Sequence, residues 1–236
     1  NFANWWSYYR KRKLMLAGSM GKVMDEVEGL RLGVVPFNRR NAPTMYDSDA
    51  TSAAENRRRV AGIFYTNPAD SGTPTKATLN YIGEQFRTNS SIIQYSCQRN
   101  NAFMVTDGFA NSSSGVSVPS YSAASEDGSF PHAPTASGSM ADMALAYFRL
   151  NLRNGRTDLV DGKVKKVGTD TPNPDNNTNL HMNTYAMTLG AKGSVWTGTN
   201  DPWANTFTWP TPQDDDPTSI DDLWHATING RGQMYR

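Results

Sequence analysis

Apolar positions along the chain fall into short blocks whose spacing changes several times. Trp5, Tyr9, Leu16, Met20, Val23 and Val27 recur at close to the helical repeat. This predicts one helix over 4–28 with a single buried stripe. Leu32 to Phe37 is a continuous apolar run that predicts a strand, with Pro36 marking an edge or an end. A turn-rich stretch over 38–54 follows, and Val60 to Tyr65 reads as a short extended piece. Leu79, Ile82 and Phe86 predict a helix over about 74–87, with Thr73 as its N-cap and Pro74 in its first position.

Ala102 to Val105 is apolar and runs into Thr106-Asp107-Gly108, the pattern of a buried strand ending in a loop. Met143, Ala144, Tyr147, Phe148 and Leu152 predict a helix over 140–152, Thr184 to Leu189 a strand, and 220–228 a last helix. Ser219 and Asp222 have capping-box spacing at its start, and Asn229-Gly230 supplies the stop. Between these blocks, 109–139, 153–179 and 193–217 are rich in Ser, Asn, Pro, Gly or Trp without period, and are expected to be irregular surface insertions. The final Gly-Arg-Gly-Gln-Met-Tyr-Arg carries no further expected element. Strands alternating with helices predict an α/β fold with a mostly parallel sheet covered on both faces. Such sheets place ligand sites at the carboxyl ends of their strands.

Composition narrows the function. The 236 residues suffice for a sizeable core without a staple, and the single cysteine, Cys97, excludes an internal disulfide. Lys and Arg number 23 against 22 acids, so no global field draws in nucleic acid. The basic run Arg10, Lys11, Arg12, Lys13 is too short to change that and reads as a solvated helix face. No apolar run is long enough for a membrane-spanning helix. Six Trp and ten Tyr in a polar, loop-rich chain suit an exported surface protein.

No catalytic constellation stands out. His132, His181 and His225 are scattered, and Ser113 lacks the strand–turn–helix setting of a nucleophile elbow. His181 and His225 read as hydrogen-bonded core residues, and Cys97 as a small buried hydrophobe. Asp214, Asp215, Asp216, Asp221 and Asp222 lack calcium-loop spacing and read as solvated loop and first-turn helix residues. Thr73 and Asp107, each on a loop at one sheet edge, are hard oxygen donors that would suit Mg²⁺ or Ca²⁺.

Several stretches together resemble the PilY family of type IV pilus tip-associated biogenesis factors and adhesins. Tyr95-Ser-Cys-Gln leading to Thr106-Asp-Gly resembles one family segment, and Asn4-Trp-Trp-Ser-Tyr-Tyr-Arg another. Ala141-Asp-Met-Ala-Leu-Ala-Tyr-Phe, His181-Met-Asn-Thr-Tyr and Ile220-Asp-Asp-Leu-Trp-His-Ala-Thr-Ile-Asn-Gly-Arg-Gly follow in the family's order. The resemblance implies that 1–236 is one von Willebrand factor A-like domain fragment, truncated at both ends, with its first strand upstream of Asn1. It implies a divalent cation, Mg²⁺ or Ca²⁺, at an adhesion site to which Thr73 and Asp107 would contribute. The Asp-x-Ser-x-Ser loop that supplies the other ligands is missing, since Asp47-Ser-Asp-Ala-Thr sits in the wrong context. The implied role is non-catalytic pilus biogenesis and tip adhesion, outside the cell at the pilus tip, in the periplasm or associated with the outer membrane. Partners would be pilin, minor pilins and a host or surface ligand. Two alternatives stay open: a metal-dependent hydrolase using Asp107, and a structural tip subunit with a vestigial metal site.

Overall fold

The structure is a computed structural model that describes residues 1–49, 51–68, 70–111, 115–197, 200–204 and 208–236. It divides into two compact units, Asn1–Ser71 and Gly72–Arg236. Ser113 lies outside the described residues.

The first unit is helical. The helix predicted over 4–28 is two, α1 (Phe2–Tyr8) and α2 (Arg12–Glu26), with Lys11 extended between them. Four consecutive cations put like charges three residues apart, which weakens a helix where the break occurs. Only a two-residue strand forms from the predicted 32–37 run: β1 (Arg31–Leu32), antiparallel to β2 (Tyr46–Asp47). Residues 60–65 are not extended. They belong to α3 (Ala53–Thr66), whose preceding Ala-Ala-Glu-Asn-Arg-Arg-Arg supplies good helix formers outside the window that suggested a strand.

The second unit carries the sheet. It runs α4 (Thr75–Thr88), β3 (Asn100–Thr106), α5 (Met140–Arg149), β4 (Met182–Thr188), α6 (Thr218–Asn229) and β5 (Arg231–Tyr235). The strands form one parallel sheet in the order β3-β4-β5, flanked by helices, so the α/β class expected from the pattern holds. β5 was not legible in the sequence. Its Arg, Gly and Gln have little strand propensity, and pairing with β4 recruits them.

Ala102, Met104, Thr184, Ala186 and Met234 are buried on the sheet, and α5 is buried from Met140 to Phe148 except at Asp142. The start of α4 differs by one residue from expectation. Thr75 begins the helix, Pro74 is its N-cap, and no side chain caps it. The described parts of 109–139 and 153–179 are irregular apart from a four-residue 3₁₀ turn, Ser125–Gly128, and an isolated bridge between Val167 and Asp175. These loops are nevertheless pinned to the core. Asp127, Leu159, Val164 and Asp175 are buried, which the aperiodic pattern did not foretell.

Candidate functional site

The carboxyl edge of the sheet is where sequence and fold converge. After β3, Thr106 Oγ1 donates to the Gly108 carbonyl at 3.0 Å, and Asp107 stands exposed between them. The loop is then laced to two other segments. Ala110 N–H donates to Ser219 Oγ at the start of α6 (3.0 Å), and Asp215 N–H donates to the Ala110 carbonyl (2.8 Å). Asn111 closes the arrangement on Thr73. Its N–H donates to the Thr73 carbonyl at 3.0 Å, and its side-chain oxygen accepts from Thr73 N–H at 2.6 Å.

Thr73 is therefore held against Asn111, four residues beyond Asp107 on the same loop. Two oxygen donors fill only part of the six to eight positions around a hard cation. Among the described residues no group of three or more His, Cys, Asp or Glu is placed to hold a metal ion.

The acidic run is divided among structural tasks. Asp216 accepts from Thr218 N–H (2.9 Å) and Thr218 Oγ1 (2.7 Å), fixing the entry to α6. Asp215, in the left-handed region at φ +55°, accepts from Asn111 Nδ2 at 3.1 Å.

Asp221 lies in the first turn of α6 as the sequence led us to expect, but neither it nor Asp222 is solvated. Both are buried, and neither caps its own helix. Asp221 accepts from the N–H groups of Ser194 (2.8 Å), Val195 (3.2 Å) and Trp196 (2.8 Å). Asp222 accepts from Met140 N–H (2.8 Å) and Ala141 N–H (3.1 Å), so it caps α5 from α6. Burial raises both carboxyl pKa values, Asp222 to about 6, although the backbone donors pull them back. Adjacent carboxylates lie about 100° apart around a helix, so each reaches a different neighbour. A small cavity of ≈ 60 Å³ lies against Asp222, lined also by Lys76, Met140, Gln213, Asp214 and Ser219. That is far below the 300–1,000 Å³ of a typical small-molecule site.

Helix α6 is buried from Ser219 to Asn229, and its last residue is a tether too. Asn229 Nδ2 donates to the Ala141 carbonyl at 3.0 Å. His225 stacks on Trp209 with ring centres 4.2 Å apart and planes 6° from parallel. Burial lowers its pKa to about 4, and its Nε2 is buried without a hydrogen-bond partner among the described residues. Gly230 follows in close contact with β4, where an added Cβ would sit 2.6 Å from Thr184 Cβ and 2.7 Å from its nitrogen. Gly230→Ala is expected to destabilise the unit by about 1–3 kcal/mol through overpacking, measured as a lower urea midpoint. A wild-type midpoint would show that β4 yields.

The remaining histidines are similarly placed. His181 is buried, with Nδ1 2.6 Å from the Asn179 carbonyl and Nε2 2.9 Å from Asp175 Oδ2. Asn183 Nδ2 shares that carboxylate at 3.1 Å. His132 Nε2 lies 3.2 Å from Asn173 Oδ1, and burial lowers its pKa. The sequence reading of His181 and His225 as core residues agrees with this, whereas Cys97 is exposed and not a buried hydrophobe. Its run Ser96-Cys97 lies in a turn ahead of β3, where no core faces it.

The arrangement as a whole is a scaffold, with polar side chains of one buried helix holding the N-terminus of α5 and the 194–196 loop. Sequence reasoning missed this role for Asp221 and Asp222. No local signal gave it away: Asp221, Asp222, His225 and Asn229 share the polar face of an amphipathic helix, the pattern that a solvated face also shows.

Comparison with known proteins agrees with the resemblance in the sequence. The chain matches type IV pilus biogenesis factor PilY1 of Pseudomonas aeruginosa strain UCBPP-PA14, 29% identical over 276 aligned positions. It also matches PilY1 of strain PAO1 (24% over 282) and of strain PAK (25% over 281). Each match takes in 100% of this chain and 24% of the relative, so the chain spans about a quarter of the relatives' length. No family profile matches the chain, and no solved structure matches it.

Proposed function

We propose that this chain is part of a type IV pilus biogenesis factor and works by contact, without turnover, at the cell surface or pilus tip. The observation that carries the reading is the match to PilY1 over the whole chain. The disposition of polar groups supports it. Asp221, Asp222, Asp175 and His181 are bonded to backbone and to each other inside the fold, where an enzyme would aim such groups into a cleft. The surface insertions, anchored at buried residues such as Asp127 and Asp175, would present the contact area for pilin, minor pilins or an external ligand. Thr73 and Asp107 are our candidates for two donors to a divalent cation that accepts a partner carboxylate, with other donors completing the shell.

A structural tip subunit without a working cation site is the second reading. It is favoured by the complete burial of the 219–229 segment, whose sequence carries the most specific part of the resemblance. The two readings separate genetically. Deleting the gene in the parent organism is expected to reduce surface pili and twitching under either. Asp107→Ala in the full-length protein is expected to lower adhesion at unchanged pilus number if the cation site works, and to leave adhesion intact if it is vestigial. Because Asp107 is exposed, the substitution should leave the far-ultraviolet circular dichroism spectrum unchanged. Normal pili and adhesion together with loss of a hydrolytic activity would overturn both in favour of an enzyme.

A further inference from the structure

The first helix of the chain has no core of its own. Phe2, Trp5 and Trp6 on α1 are each more than half exposed, yet they touch one another, with ring centres 5.9, 6.1 and 6.4 Å apart. The Arg10 guanidinium carbon lies 5.0 Å from the centre of the Trp6 ring, which joins the basic run to the aromatic cluster. Residues 1–24 contain Arg10, Lys11, Arg12, Lys13 and Lys22 and no carboxylate; the first acid is Asp25. In a chain with nearly balanced charge, this is a local excess of five cations.

We propose that α1 and the basic run form a docking surface for an anionic lipid surface. Tryptophan favours the headgroup level of a bilayer, where an apolar ring body and a polar N–H are both accommodated. Lysine and arginine beside it gain from the negative surface potential. A proteinaceous groove would accept the rings, but nothing in it would require the accompanying cations without an acid. None of the described helices is long and apolar enough to cross a membrane, so the attachment is interfacial. Two turns of helix and a few cations give a weak and reversible attachment that depends on salt. The inference is independent of the pilus reading.

Flotation of the 236-residue chain with vesicles tests it. Phosphatidylcholine vesicles containing phosphatidylglycerol are expected to carry the protein at low salt, and pure phosphatidylcholine vesicles to carry at least about tenfold less. Raising the salt should release it. The double variant Trp5→Ala/Trp6→Ala should lose flotation while keeping its circular dichroism spectrum, because α1 buries none of its described side chains. A Lys11→Gln/Lys13→Gln variant should bind anionic vesicles less and pure phosphatidylcholine equally. Equal binding to both vesicle types, no binding to either, or full binding by the double tryptophan variant would overturn the proposal. So would self-association through α1 in the absence of lipid binding, since the aromatic cluster would then serve a second copy of the chain.

Discussion

Replacing Asp222 by alanine is expected to cost the second unit about 3 kcal/mol or more. Two buried donors, Met140 N–H and Ala141 N–H, lose their acceptor, and each buried unsatisfied amide costs about 1–3 kcal/mol. The loss falls at the junction of α5 and α6, so both helices should loosen together. Urea denaturation followed by circular dichroism measures the effect, and hydrogen exchange at Met140 and Ala141 localises it. Asp222→Asn keeps a carbonyl oxygen for one donor and should cost less.

The pH dependence has a definite sign. Folded Asp222 has a pKa of about 6 against 3.8 for a free aspartate, so the folded state holds the proton more tightly. This group's contribution to stability is therefore fully present at low pH and is lost as pH rises from about 4 through about 6. The margin of wild type over Asp222→Asn should shrink across that window and stay constant above it. A margin that grows with pH would mean that the folded carboxyl is more acidic than a free one.

The second large effect is expected at Arg149, at the end of α5. Its Nε and Nη2 donate to Asp127 at 2.9 and 2.7 Å, and Nη2 also reaches Glu126 at 2.7 Å. The Asp127 side chain is 1% exposed, so Arg149→Ala leaves a carboxylate buried without its cation. Breaking a buried pair from one side costs about 3–5 kcal/mol. Replacing both partners together, Asp127→Leu with Arg149→Met, should cost much less than the sum of the single changes. Strict additivity in the double-mutant cycle would show that the pair does not hold the 124–129 turn to α5. The guanidinium carbon of Arg149 also lies 5.2 Å from the Phe148 ring centre, and that of Arg231 4.7 Å from it. Some packing is therefore lost with the charge.

Local pattern was a good guide wherever an element's own residues carried its period. α4, α5 and α6, and strands β3 and β4, were each placed to within about three residues of their boundaries, because 3.6- and 2-residue periods survive any arrangement of neighbours. It misled where a short window stood for a longer one. Val60 to Tyr65 alternates weakly by itself, but it is the second half of a 14-residue helix. It was silent on β5, whose Arg-Gly-Gln-Met-Tyr has no strand pattern until β4 offers it a ladder.

The candidate site divides along the same line. The sequence by itself determined the α/β class, the loop positions of Thr73 and Asp107, the structural roles of His181 and His225, and the likeness to pilus biogenesis factors. Those rest on residue type, on period, or on an ordered set of short motifs, all of which are local. The tertiary structure alone decided that Asp221 and Asp222 are buried tethers, that Asp127 and Asp175 pin irregular loops, and that Asn111 brings the Thr73 segment to the loop of Asp107. A carboxylate looks the same in sequence whether it faces water or a backbone N–H some eighty residues away. Only the fold supplies that donor, and the cost of burying the charge without one makes the choice.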